Sequence, residues 1–141
     1  MNKVILSERV VVPVRFSEVD SLRIVWHGHY IKYFEEGREA FGRKYGLGYL
    51  QVFENGLLTP IVHTSCDYKK PLQYGDCAVV ETKFVDCDAA KLIFEFIVYN
   101  QKNMEIVAEG KSIQVFLDKN FELILNIPPF FAEWKKKVGL N

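Results

Sequence analysis

Tyr30-Ile31-Lys32-Tyr33-Phe34-Glu35-Glu36-Gly37-Arg38-Glu39-Ala40-Phe41-Gly42-Arg43-Lys44-Tyr45 is the stretch that decides how this chain folds. Tyr30, Tyr33, Phe34, Gly37, Phe41 and Tyr45 recur at spacings of three and four, which sets them on one apolar face of an amphipathic helix. Gly46 and Gly48 supply its C-terminal stop. Gly37 sits in the interior, where glycine costs about 1 kcal/mol relative to alanine. Its presence there predicts a close approach by another backbone, and therefore packing against a sheet.

The start of this helix is unusual. His27, Gly28 and His29 precede Tyr30, and none carries the Ser, Thr, Asp or Asn oxygen that ordinarily caps the first-turn N–H groups. Uncovered donors at the positive end of a helix dipole favour a developing negative oxygen. The run Asp20-Ser21-Leu22-Arg23-Ile24-Val25-Trp26 leads to this point with a carboxylate at its head, which makes Asp20 a partner for the same reacting atom. The plainer reading of Asp20 is a turn residue bonded to its own backbone.

Outward from the helix the pattern is β. Residues 7–16 read as a first strand, with Pro13 suiting an edge position or a bulge. Polar turns at 86–91, 100–103 and 118–120 divide residues 57–125 into four strands, and Pro128-Pro129 opens a short helix through Trp134. Strand, long helix and four antiparallel strands make an α+β layout, a hotdog fold in which a sheet of about five strands wraps one central helix. One domain over residues 1–141 is expected, since no composition shift marks a linker. Val79, Ile93, Ile97 and Val107 bring apolar side chains to both sheet faces, so a partner copy is expected to cover part of the second face.

Eighteen basic residues balance eighteen acidic ones, which gives no general surface for nucleic acid or membrane. Lys135-Lys136-Lys137 reads as the solvated face of the last helix. The N-terminal apolar run is too short for a signal peptide and no stretch reaches membrane-spanning length, so a cytoplasmic location is expected. Cys66, Cys77 and Cys87 are odd in number without a CxxC pair and read as buried free thiols.

Asp20 followed by Ile24-Val25-Trp26-His27 and Tyr30, then Phe34-Glu35-Glu36-Gly37-Arg38, resembles the motif of the 4-hydroxybenzoyl-CoA thioesterase family. Leu58-Thr59-Pro60-Ile61-Val62 with Tyr68, Pro71, Gly75 and Asp76 resembles that family's second strand. The resemblance implies hydrolysis of acyl-CoA, or sometimes acyl-carrier-protein, thioesters without metal or cofactor. By position, Asp20 resembles the catalytic carboxylate and the His27 backbone N–H the donor that polarises the thioester carbonyl. It also implies a homo-oligomer, dimer or tetramer, with the active site at the interface: Asp20 of one subunit faces Thr59 or His63 of the other. The chain departs from the family at Arg23, where glycine is frequent, and at 86–91, where Asp86 and Asp88 stand with only Lys91.

Each further residue has two readings. Trp26 and Tyr30, with Gly28 between them, line an acyl pocket or belong to the core. His63 is a substrate contact or a half-exposed strand histidine. Lys69, Lys70 and Lys91 meet the coenzyme A phosphates or are surface residues. His27, His29 and Asp20 supply three possible metal ligands, but neighbouring positions diverge and no fourth is evident, so no metal site is assigned. Glu35, Glu36 and Arg38 are assigned to structure first. The alternatives to a thioesterase are a non-catalytic acyl-CoA-binding module and a hydratase or dehydratase on the same fold.

Overall fold

A computed structural model describes residues 4–140. The order is β1 (Ser7–Pro13), α1 (Tyr30–Tyr45), α2 (Tyr49–Glu54), β2 (Ile61–Tyr68), β3 (Cys77–Val85), β4 (Lys91–Asn100), β5 (Glu105–Val115) and α3 (Pro129–Lys137). The five strands form one antiparallel sheet in the order β1-β3-β4-β5-β2. β1 and β2 are its edges. The expected hotdog architecture is therefore present, with α1 lying against one sheet face.

The period-two pattern of β4 explains which face that is. Leu92, Phe94, Phe96 and Val98 are buried, while Lys91, Ile93, Glu95 and Ile97 alternate outward. Phe34 stacks on Phe96 with ring centroids 4.6 Å apart, and Phe41 meets Phe94 edge to face at 5.2 Å. Between them Gly37 sits on β3, where a Cβ would run into the Thr82 hydroxyl and come within 2.7 Å of Val80. The glycine does mark where helix meets sheet, but the atoms that close on it are the side chains of Thr82 and Val80 rather than the expected backbone. Gly37→Val is expected to destabilise the fold by about 2–3 kcal/mol through overpacking, measured as a lower urea midpoint at unchanged slope. A midpoint equal to wild type would mean that helix and sheet separate at little cost.

At its C-terminal end α1 stops on Gly46, which adopts φ 75° and returns its N–H to the Gly42 carbonyl. The Trp134 indole on α3 donates to the Tyr45 carbonyl at 2.7 Å, tying the last helix to this end.

Several expectations are corrected. Residues 49–54 form α2, whose six residues are too few to show a period. The strand expected across 57–85 is two strands, parted by a loop at 69–76, and residues 121–125 form only an isolated bridge through Leu123 to Leu117. Lys135 is not solvated: it pairs with Asp86 at 2.8 Å and donates to the Cys87 carbonyl. The three cysteines are free but only half-buried. Val79 and Val107 are already buried in the single chain. The outer face is largely ionic, because the registers align Arg9, Glu81, Ile97, Glu109 and Asp67 in one row and Lys83, Glu95 and Lys111 in the next.

Candidate active site

The segment before α1 is a small hairpin. Val19 bridges Val25, the Asp20 N–H donates to the Ile24 carbonyl at 2.9 Å, and the Arg23 N–H donates to the Asp20 carbonyl at 2.9 Å. Arg23 takes the left-handed conformation, φ 66°, one that glycine adopts without steric cost. Asp20 does make the local turn bond: its Oδ1 accepts the Leu22 N–H at 2.8 Å. Its Oδ2 has no protein partner among the described residues.

Three tethers hold the hairpin to the body of the protein. The Trp26 N–H donates to the Glu18 carbonyl and the Val25 N–H to the Leu72 carbonyl. The Tyr33 hydroxyl on α1 donates to the buried Glu18 carboxylate at 2.9 Å, and the Arg15 N–H donates to the same oxygen. Burial first, and then the Glu18 carboxylate, pushes the Tyr33 hydroxyl well above the usual tyrosine range, so it stays a donor. Glu18 was not picked out from sequence. Its signal, a lone carboxylate three residues past Arg15 and fifteen before Tyr33, has no recognisable spacing.

Residues His27–His29 form a single 3₁₀ turn that runs directly into α1, with no side-chain cap. The His29 N–H donates to the Trp26 carbonyl at 2.9 Å and the Tyr30 N–H to the His27 carbonyl. Among the described residues, the N–H groups of His27 and Gly28 have no acceptor. Two adjacent donors thus stand open at the head of a sixteen-residue helix. The Trp26 ring lies over Gly28, where any Cβ would collide with it, and it also meets His27 and His29 at 4.9 and 5.5 Å.

The remaining candidates divide. Trp26 is half-exposed at the helix start, whereas Tyr30 is only 3 % exposed and belongs to the core against Tyr33 and Tyr68. Burial pushes the Tyr30 hydroxyl up to about 12. Thr59 is buried ahead of β2 and its hydroxyl has no partner among the described residues, and His63 is exposed on β2. Lys69 and Lys70 follow β2 at the end of the sheet that adjoins the helix start, and Lys70 pairs with Glu105 at 2.8 Å. Lys91 lies at the other end. It aligns with Val115 and Tyr68 aligns with Ala108, positions about 24 Å apart along an extended strand. Within one chain the three lysines therefore cannot meet a common phosphate group.

A narrow cavity of about 10 Å³ follows the β2 side of α1 and is lined by Ile31, Phe34, Glu35, Arg38, Gln114 and their neighbours. Arg38, among its lining residues, is buried: Nε donates to Gln114 and Nη1 to the Leu47 carbonyl, and Nη2 has no acceptor among the described residues. A wider concavity, about 960 Å³, lies between α2, α3 and the C-terminal end of α1, at the end of the helix remote from Asp20.

A five-stranded antiparallel sheet packed on one long helix is the hotdog architecture, and it sets the class of protein with which this chain is to be compared. A family model described as the thioesterase-like superfamily matches residues 14–135, and the chain belongs to that superfamily. A Bacillus subtilis (strain 168) protein with the provisional name acyl-CoA thioesterase YneP is 32% identical over 123 residues, 87% of this chain and 88% of that protein. The DHNA-CoA thioesterase structure from Staphylococcus aureus superposes with a TM-score of 0.84 at 22% identity, covering 94% of this chain and 90% of that one. A 4-hydroxybenzoyl-CoA thioesterase mutant, solved with 4-hydroxybenzoyl-CoA, superposes with a TM-score of 0.79 at 21% identity, over 92% of this chain and 98% of that one. At these identities the two structures speak to the fold.

Proposed function

We propose that this chain hydrolyses acyl-CoA thioesters to the free acid and coenzyme A, with Asp20 as nucleophile or general base and the His27 N–H as oxyanion donor. The observation that carries the reading is the pair of unoccupied N–H groups at His27 and Gly28, joined to Asp20 by one tethered hairpin. Asp20 attacks the carbonyl carbon to give a mixed anhydride that water then opens, or it takes the proton of a water that attacks instead. Either path builds negative charge on the carbonyl oxygen, and a preorganised N–H there lowers the barrier by several kcal/mol. The residues named supply this chemistry without a metal or cofactor. Trp26 and Gly28 flank the thioester in this reading.

We further propose that the working unit is a homo-oligomer built on β2. Every residue of this edge strand but Cys66 is exposed, and Val62 is 60 % exposed, whereas the opposite edge ends in Pro13, which has no N–H to offer. A two-fold between Thr64 and Ser65 would bring Thr59 and His63 of one copy toward Tyr68 and the His27 peptide of the other. Lys69 and Lys70 are suited to the coenzyme A phosphates, and Lys91 joins them only from another copy.

The test is release of free thiol from a panel of acyl-CoA esters, short aliphatic to aromatic, followed on dilution together with the size of the particle. Turnover unaffected by a chelator and falling as the oligomer dissociates is the expected result. Tight acyl-CoA binding without thiol release would favour a binding module, and loss of a conjugated double bond a hydratase. A monomer with full activity at nanomolar concentration would overturn the oligomer.

A further inference from the structure

We propose that Tyr68 is a positioning residue for the oxyanion donors, an inference that rests on the reading of His27 and Gly28 given above. The Tyr68 hydroxyl, on the last residue of β2, donates to the His27 carbonyl at 2.8 Å. That carbonyl belongs to the same planar peptide unit as the Gly28 N–H. Fixing the oxygen therefore fixes the direction of the open hydrogen on the opposite side of the unit. The same carbonyl also accepts the Tyr30 N–H, and two donors on one carbonyl withdraw electron density and sharpen the N–H as a donor. The preceding unit is held in the same way, since the Trp26 carbonyl accepts the His29 N–H at 2.9 Å and so orients the His27 N–H.

The role of the hydroxyl is separable from packing. The Tyr68 ring meets Tyr30 at 5.1 Å and His27 at 6.2 Å, both edge to face, and phenylalanine would keep those contacts. Tyr68 is 51 % exposed, so its removal leaves no cavity in the core. Desolvation, followed by the neighbouring Cys66, raises its hydroxyl above the ordinary tyrosine value, which keeps the proton that makes the bond. Because Tyr68 stands on the free edge strand, the orientation of the donors is tied to whatever happens at that edge. A contact that draws Tyr68 away would release the 27–28 peptide without touching Asp20.

The test uses Tyr68→Phe in the full chain, with a ketone analogue of an acyl-CoA in which CH₂ replaces the thioester sulfur and the carbonyl carries ¹³C. In the wild type the bound carbonyl stretch is expected to move to lower frequency than in water. Tyr68→Phe should lose a large part of that shift while binding the analogue with unchanged affinity, and kcat on the thioester should fall about tenfold at constant KM. An unchanged shift and unchanged kcat in Tyr68→Phe would overturn the proposal while leaving the donors themselves in place. No shift in the wild type would remove the oxyanion reading and this inference with it. Equal losses in kcat and in thermal stability would assign Tyr68 to packing and overturn the positioning role.

Discussion

Asp20→Asn is expected to lower thioester turnover at least about 100-fold, with the fold and acyl-CoA binding nearly intact. Asparagine keeps an oxygen at the position of Oδ1, so the Leu22 N–H retains its acceptor and the hairpin its shape. What it removes is the charged Oδ2, the oxygen left without a protein partner. An amide neither attacks a thioester carbonyl at a useful rate nor takes a proton from water at neutral pH, so both versions of the mechanism fail together. Thermal unfolding and binding of a non-hydrolysable acyl-CoA would serve as controls. A folded Asp20→Asn enzyme of near-normal kcat would remove Asp20 from the chemistry and leave the helix start as a binding feature. Where turnover falls as expected, single-turnover trapping of a covalent acyl group on the wild type separates nucleophile from general base.

How much of this was legible beforehand follows from what each element needs. The long helix announced itself because sixteen residues hold a periodic face, and Gly37 and the β4 alternation named the contact between helix and sheet. The open helix start could be read because a missing cap is visible in sequence as the absence of four residue types. The tethers could not. Glu18, Tyr33, Leu72 and Tyr68 reach the hairpin from separate parts of the chain, and three of these four contacts use a backbone carbonyl, which carries no side-chain signal. The placement of the lysines was hidden for a related reason: Lys91 and Lys70 look alike in sequence, and only the antiparallel register sends them to opposite ends of the sheet. The apolar character assigned to the outer face was overestimated because Val79 and Val107 lie on a sheet that buries them within one chain. The cross-strand charge rows on that face become visible only once the strands are aligned.

Gly28→Pro is expected to abolish turnover, whereas His27→Ala should change it little. The two substitutions separate backbone from side chain at adjacent positions. The His27 imidazole packs beside Trp26 and Tyr68 at the surface, but the proposed contribution of this residue is its N–H, which alanine keeps. Proline at position 28 removes one of the two open donors outright. Its ring would also press on the Trp26 indole, which already occupies the space next to Gly28. In addition, proline disfavours the helical conformation of the residue before it, and so disturbs the 3₁₀ turn that presents the His27 N–H. Gly28→Ala gives an intermediate case: it keeps the N–H but forces the indole aside, and the resulting loss of turnover measures how far the donors depend on Trp26. Circular dichroism with unfolding curves would establish that all three variants fold, and kcat/KM with one acyl-CoA would rank them. The opposite ranking, an inactive His27→Ala beside an active Gly28→Pro, would mean that the imidazole acts in the reaction. The proton transfers would then have to be assigned to that ring.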